Sequence, residues 1–267
     1  MFRATYQPYL LPMLTEEITN NFIKYFCLAY ANRPELISQV HKIRYDVFCQ
    51  ELELEENCPK DVEADEFDAH SYHFLLQHRP SNRYAGTVRV VLPPLDRPEL
   101  ITPIEKFCFD AVDPRIMDIA SLTRGSFAEV SRLAVSSNFR KRIGEENKPY
   151  IINSVKKTDP SPSSRSNFPH IAIGLYLAAA SLFTLKELQY IFIMVEPRLA
   201  RSIRRIGLQF EQMGDVIEYH GQRAPFYITP ELLSQHLSPE VKNLYQHIKS
   251  EVRKGLTKGH KNSNLAG

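Results

Sequence analysis

Three places in the chain set charged side chains where packing alone would not put them. The first is Arg44 on an apolar helical stripe, followed by Asp65 and Asp68 in an acidic loop; the second is Arg89 inside TVRVVL; the third is Glu129 with Arg132 inside FAEVSRLAV. A charge within so apolar a strand is costly to bury unless it is paired or belongs to a site. A carboxylate held there is suited to take a proton from an attacking amine, and a guanidinium to grip a carboxylate through its two-point fork. The competing reading is an internal ion-pair network that fixes the fold. For Arg44, Arg89 and Arg132 taken singly that reading is the stronger.

The elements that must position these residues follow from periodicity. Phe22–Ala31 reads as a buried strand. Leu36, Val40, Ile43 and Val47 recur at helical spacing behind Pro34, predicting a helix from about Pro34 to Leu52. Ser71–His78 and Tyr84–Leu92 form a hairpin around Arg79-Pro80-Ser81-Asn82. Thr102-Pro103-Ile104-Glu105 is a capping box that starts a short helix. In the strand Phe127–Val135, alternation puts Glu129, Ser131 and Leu133 on one face and Val130, Arg132 and Ala134 on the other. Residues 144–167 are polar, with prolines and serines, and read as a mobile insertion. An apolar helix over Phe168–Leu188, a strand at Tyr190–Val195 and a helix closed by Gly207 follow. Val216–Tyr219 and Pro225–Thr229 read as closing strands, and a last helix starts at Ser238-Pro239-Glu240. A frayed tail is expected from about residue 255. This order gives one α/β domain over residues 1–267, a mixed sheet with helices on its faces.

Composition narrows the partners. The chain has 267 residues and a formal charge of +2, so bulk electrostatics select no partner and nucleic acid is a poor fit. No apolar run reaches the ~18 residues of a spanning helix, and the start MFRATYQPYLLPMLTEE lacks a signal-peptide pattern, so a cytoplasmic protein is expected. Cys27, Cys49, Cys58 and Cys108 form no CxxC pair, and their spacing to His70 and His73 fits no common zinc pattern. Reduced, mostly buried thiols and no metal are expected.

The spaced pattern I-R-Y-D-V-F, D-E-F-D, G-T-V-R-V and E-V-S-R-L-A-V resembles that of the acyl-homoserine-lactone synthases. It is more similar still to the N-acyl amino acid synthases and to the acyltransferases associated with PEP-CTERM/exosortase systems of Gram-negative bacteria, a group to which EPRLARSIRRIG and YHGQRAPFYI also point. The matching residues are Arg44, Phe48, Asp65, Asp68, Arg89, Glu129 and Arg132. The resemblance implies a GNAT-like fold with a largely antiparallel central sheet and helices on both faces. It also implies an acyl donor, acyl carrier protein or sometimes coenzyme A, and no bound cofactor.

The stretch SSNFRKRIGEEN departs from the glycine-rich phosphate loop of GNAT proteins in having one glycine, which weakens the case for a pyrophosphate nest of amides. Two basic groups, Arg140–Lys141–Arg142 and Arg198, Arg201, Arg205 at helical spacing, would suit an acidic carrier protein; either alone is equally a solvated surface. The expected reaction is attack of an amine on an acyl thioester, with Glu129 taking the proton and Asp65 and Asp68 holding the ammonium group or its loop. Arg89 and Arg132 would orient those carboxylates or grip the acceptor's carboxylate. An amide near Leu133 or Ala134 would face the oxyanion. The acyl tail would lie between the sheet and the helix from about Pro169 to Leu185, where Gly174, Ala178 and Ala179 leave room; close helix–sheet packing accounts for the small residues equally well. The alternatives are a cysteine acyl-enzyme, a homoserine-lactone signal synthase consuming S-adenosylmethionine, and a non-catalytic protein that binds acyl carriers or lipid.

Overall fold

The computed structural model describes residues 10–55, 58–140, 168–205 and 207–263. Its sheet runs β1-β2-β3-β4-β5-β8-β6. The strands are β1 (Phe26–Tyr30), β2 (Ser71–His78), β3 (Arg83–Val91), β4 (Phe127–Val135), β5 (Tyr190–Val195), β6 (Glu211–Gln212), β7 (Ile217–Glu218) and β8 (Gln222–Ile228), with β7 paired to β8. All pairs are antiparallel except β4 with β5. The helices are α1 (Leu10–Tyr25), α2 (Pro34–Arg44), α3 (Pro103–Phe107), α4 (Ser137–Arg140), α5 (Phe168–Leu185), α6 (Pro197–Arg205), α7 (Pro230–Gln235) and α8 (Pro239–Ser263).

Strand alternation divides the core between the two faces. Phe74 and Leu76 of β2 join Ile171, Leu175 and Leu182 of α5 and Leu244 and Ile248 of α8, while Leu75 between them joins Val40, Ile43 and Val47 on the α2 side. None of the described helices is long and apolar enough to cross a membrane.

Several expectations are corrected. The strand read at Phe22–Ala31 starts at Phe26; Phe22 lies in the last turn of α1, which runs to Tyr25, and its ring is buried against α5. A Cβ on Gly174 would come within 2.6 Å of the Phe22 ring, so this glycine serves close packing of α1 on α5 rather than room for a ligand. The long helix from Pro34 becomes a π-helical turn over Tyr45–Glu51 after Arg44, a local widening that periodicity does not reveal. The tail expected to fray is helical to Ser263, and Gly255 lies against Tyr30. Helix α3 has the predicted capping box, with Thr102 and Glu105 exchanging hydrogen bonds.

Strand β4 carries the feature that builds the site. Thr87 pairs with Ala134 but Arg89 with Ser131, so Arg132 and Leu133 together face Val88 in a bulge, and Arg132 has φ +48°. The bulge reverses the alternation beyond it. Leu133 packs with Val130 and Val135 on the α5 side, and Ala134 with Val40 and Val47 on the α2 side, opposite to the strict-alternation expectation. Strand β5 pairs with β4 only from Phe127 to Val130, and past Ile193 the two strands part.

Candidate active site

A cavity of about 370 Å³ occupies the gap where β4 and β5 part. Its inner wall is apolar: Ala172, Tyr176, Ala179 and Phe183 of α5, with Leu199 and Ile203 of α6. Its polar end carries Glu55, Cys108, Glu129, Arg132, Tyr219, His220 and Arg223. Beyond Val130 the amides of β4 that would face β5 have no partner in that strand. A slot with one greasy and one polar end suits a ligand with an aliphatic tail and a polar head.

Glu129 is 2% exposed, and its Oε2 accepts a hydrogen bond from the Ile104 backbone N–H at 2.7 Å. That amide is one of the donors a helix leaves free at its start, so the capping box of α3 also aims the carboxyl. Burial pushes the Glu129 carboxyl up to about 7, against the opposing pull of the Ile104 amide and the Arg89 charge. A carboxyl that titrates near neutrality can both take and return a proton. Cys108 lines the same cavity, but burial and the Glu129 charge push its thiol up to about 11. So little thiolate at neutral pH argues against a cysteine acyl-enzyme.

Behind the cavity lies a network of three guanidiniums and four carboxylates. Arg44, fully buried, donates to Glu63 and, at 2.7 Å, to Asp68. Arg89 donates to Asp65, to Asp68 at 2.8 Å and to Ser131 Oγ at 3.0 Å. Arg132 reaches Glu63 at 3.0 Å, Glu55 at 2.7 Å and Asp65 at 3.3 Å, with its guanidinium 5.6 Å from the Phe48 ring centre. Burial by itself raises Asp68, but Arg44 and Arg89 outweigh it and hold the carboxyl well below the carboxylate range. His73, 3.6 Å from Asp68, is nevertheless pushed down to about 4 by burial and by the same two arginines. It is neutral at physiological pH.

These contacts sort the predicted residues. Phe48, Glu129, Arg132, Leu133 and Ala134 line the cavity. Asp65 and Asp68, expected to hold an ammonium group or to order its loop, cap the short turn Glu66–His70 and pair with Arg44 and Arg89. Arg44 and Arg89 do not line the cavity; both are buried, and Arg89 orients Asp65 and Asp68, one of the two roles expected of it. Ala179 lines the apolar wall; Gly174 and Ala178 do not. Arg198, Arg201 and Arg205 are exposed on α6, on the side away from Leu199 and Ile203, whereas Arg204 is taken up by the Phe210 and Phe226 rings. Arg140 ends α4, while Lys141, Arg142 and the insertion at 144–167 lie outside the described residues.

Sequence reasoning missed Glu63, which bridges Arg44 and Arg132, and it missed Tyr219, His220 and Arg223, which β8 and its turn swing across to the cavity. The motif YHGQRAPFYI contains all three but entered the sequence reading only as a mark of family resemblance. Cys49 and Cys58, expected as free thiols, form a disulfide, leaving Cys27 and Cys108 free. Cys49 lies on the π-helical turn with its Cα 6.4 Å from that of Cys58, a proximity invisible in spacing. Among the described residues no cluster of His, Cys, Asp and Glu is arranged to hold a metal.

Residues 43–146 match the acetyltransferase (GNAT) domain family. No curated protein matches the sequence. Among solved structures, the coenzyme A-dependent acyl-homoserine lactone synthase BjaI aligns with a TM-score of 0.54 at 14% identity, covering 84% of this chain and 89% of its own. FeeM, an N-acyl amino acid synthase from uncultured soil microbes, aligns with a TM-score of 0.50 at 15% identity over 79% of this chain and 95% of its own. The acyl-homoserine lactone synthase LasI gives 0.50 at 16% identity, covering 80% and 95%. At these identities the likeness speaks for the fold.

Proposed function

We propose that the chain is a GNAT-type acyltransferase that transfers a fatty acyl group from a thioester to the amine of an amino acid or related small molecule, a reading that its fold and its acetyltransferase domain match support. The donor is acyl carrier protein or coenzyme A, and the reaction belongs to the cytoplasm, where those thioesters are made. The observation that carries this reading is the cavity itself: an apolar slot ending at Glu129, a buried carboxyl whose pKa lies near 7.

The acyl tail lies against Ala179, Tyr176 and Phe183, and the thioester carbonyl sits where β4 and β5 part. The amine nitrogen attacks that carbonyl, forming the C–N bond; its proton passes to Glu129 directly or through one water. An amide of β4 at Leu133 or Ala134 faces the oxyanion. As the tetrahedral carbon collapses the C–S bond breaks, and the thiolate leaves with the proton that Glu129 returns. Arg132 and the network behind it hold the bulged strand in place. The exposed arginines of α6, with Arg140, Lys141 and Arg142, offer an acidic carrier its docking charge.

BjaI and LasI are acyl-homoserine lactone synthases, so a signal synthase is the second reading. Consumption of S-adenosylmethionine separates the two. A non-catalytic lipid binder has no need of a carboxyl desolvated as Glu129 is, since such burial costs stability without improving apolar binding. The exosortase association rests on sequence resemblance alone. Mass spectrometry of lipids from cells overproducing the chain or its E129Q variant identifies the product: a new N-acyl amine found only with the intact carboxyl supports the reading, and identical lipid profiles refute it.

A further inference from the structure

Among the described charged side chains that line the cavity, one cation has no ion-pair partner among the described residues. Arg132 is held by Glu55, Glu63 and Asp65, and Glu129 by the Ile104 amide. Arg223 makes no ion pair with any described residue, and its Nε is buried without a hydrogen-bond partner. Glu196, the carboxylate whose field it feels, is exposed and forms no ion pair with it. Burial, the largest influence, and the charge of Arg132 both push the Arg223 guanidinium below its ordinary value. An unpaired guanidinium in a largely apolar slot is unfavourable unless a ligand brings the missing anion.

Its place in the fold fits such a ligand. Ala224 pairs with Val195 at the end of β5, so Arg223 lies one residue further on, at the end of the sheet where β4 and β5 part. Cys108 feels the charges of both Glu129 and Arg223, and Tyr219 is coupled to both as well. The proton acceptor and the unpaired cation therefore share neighbours at one end of one cavity.

We propose that Arg223 is a carboxylate subsite, binding the carboxylate of an amino-acid acceptor while the acceptor's amine faces Glu129. This deepens the N-acyltransferase reading by naming the acceptor as an amino acid rather than a simple amine. A guanidinium fork gives the two-point contact that a carboxylate accepts and a carboxamide does not.

The test reads binding, so it does not depend on turnover. Titration calorimetry compares a long-chain N-acyl amino acid with its carboxamide on the wild-type chain, R223Q and R223K. A charge-assisted pair predicts a preference for the acid of roughly tenfold to a hundredfold in the wild type. R223K should keep part of it, and R223Q should bind acid and amide alike. Because R223Q removes an unpaired cation, its Tm should be unchanged or higher; R223K serves if R223Q does not fold. Equal binding of acid and amide by the wild type overturns the proposal, and so does a preference that survives in R223Q. If R223Q abolishes the preference while no amine is ever acylated, the subsite stands and the proposed reaction falls.

Discussion

Replacing Glu129 by Gln should make the protein more stable, and by an amount that depends on pH. Burial carries this carboxyl from an ordinary 4.5 to about 7. Between those values the folded chain holds a proton that the unfolded chain has released, so stability falls as pH rises, by ~1.4 kcal/mol per pH unit. The full effect is about 3 kcal/mol, absent below pH 4.5 and complete above pH 7. Glutamine keeps the shape and an oxygen for the Ile104 N–H but cannot ionise. E129Q should therefore match the wild type near pH 4.5 and exceed it by about 3 kcal/mol at pH 8, roughly 6–12 °C in Tm for a chain of this size. Thermal or urea unfolding of both proteins from pH 4.5 to 9 measures the gap. A gap that ignores pH, or an E129Q less stable than wild type at pH 8, would mean that Glu129 is an ionised structural partner. The variant's activity should fall ~10²–10⁴-fold.

Asp68→Asn should do the reverse, lowering stability by ~3–5 kcal/mol at neutral pH because it leaves Arg44 and Arg89 under-paired; urea unfolding measures the loss, and activity per folded molecule should persist. The pairing of Asp68 stabilises above the ordinary carboxylate pKa and is lost as pH falls through its depressed value, so D68N should show a flatter acid limb. Ala179→Phe fills the apolar end of the cavity; kcat/KM should drop for long acyl thioesters and hold for short ones, and equal losses at every length would move the tail elsewhere. Thiol titration of denatured, unreduced protein should count two thiols per chain, Cys27 and Cys108, rising to four after reduction. Cys49→Ser should cost about 2–3 kcal/mol by the loop-closure argument, measured by unfolding with and without reductant.

The hairpin, the capped helix at Pro103, and β4 and β5 were legible because each is set by local pattern: alternation, a capping box, or a short β-branched run. Glu129 was legible for a related reason, since a carboxylate inside so apolar a strand needs a purpose. What spacing could not give was the third dimension. Asp65, Asp68, Arg44 and Arg89 share the chemical types of a site, but only distances distinguish a buried ion network from groups that face a cavity. The bulge at Arg132 exchanges the faces of Leu133 and Ala134, and nothing in FAEVSRLAV marks it. Arg223 was hidden because it enters the site from β8, far along the chain from Glu129.

The proposed reaction is attack of an amine on an acyl thioester in this cavity, with Glu129 as proton acceptor. Thiol release from a long-chain acyl thioester, followed with and without amino acid in the wild type and E129Q at pH 8, tests it most directly. Release should depend on the amino acid, yield one N-acyl product per thiol and nearly vanish in E129Q. Release that ignores the amino acid, or proceeds unchanged in E129Q, would contradict it.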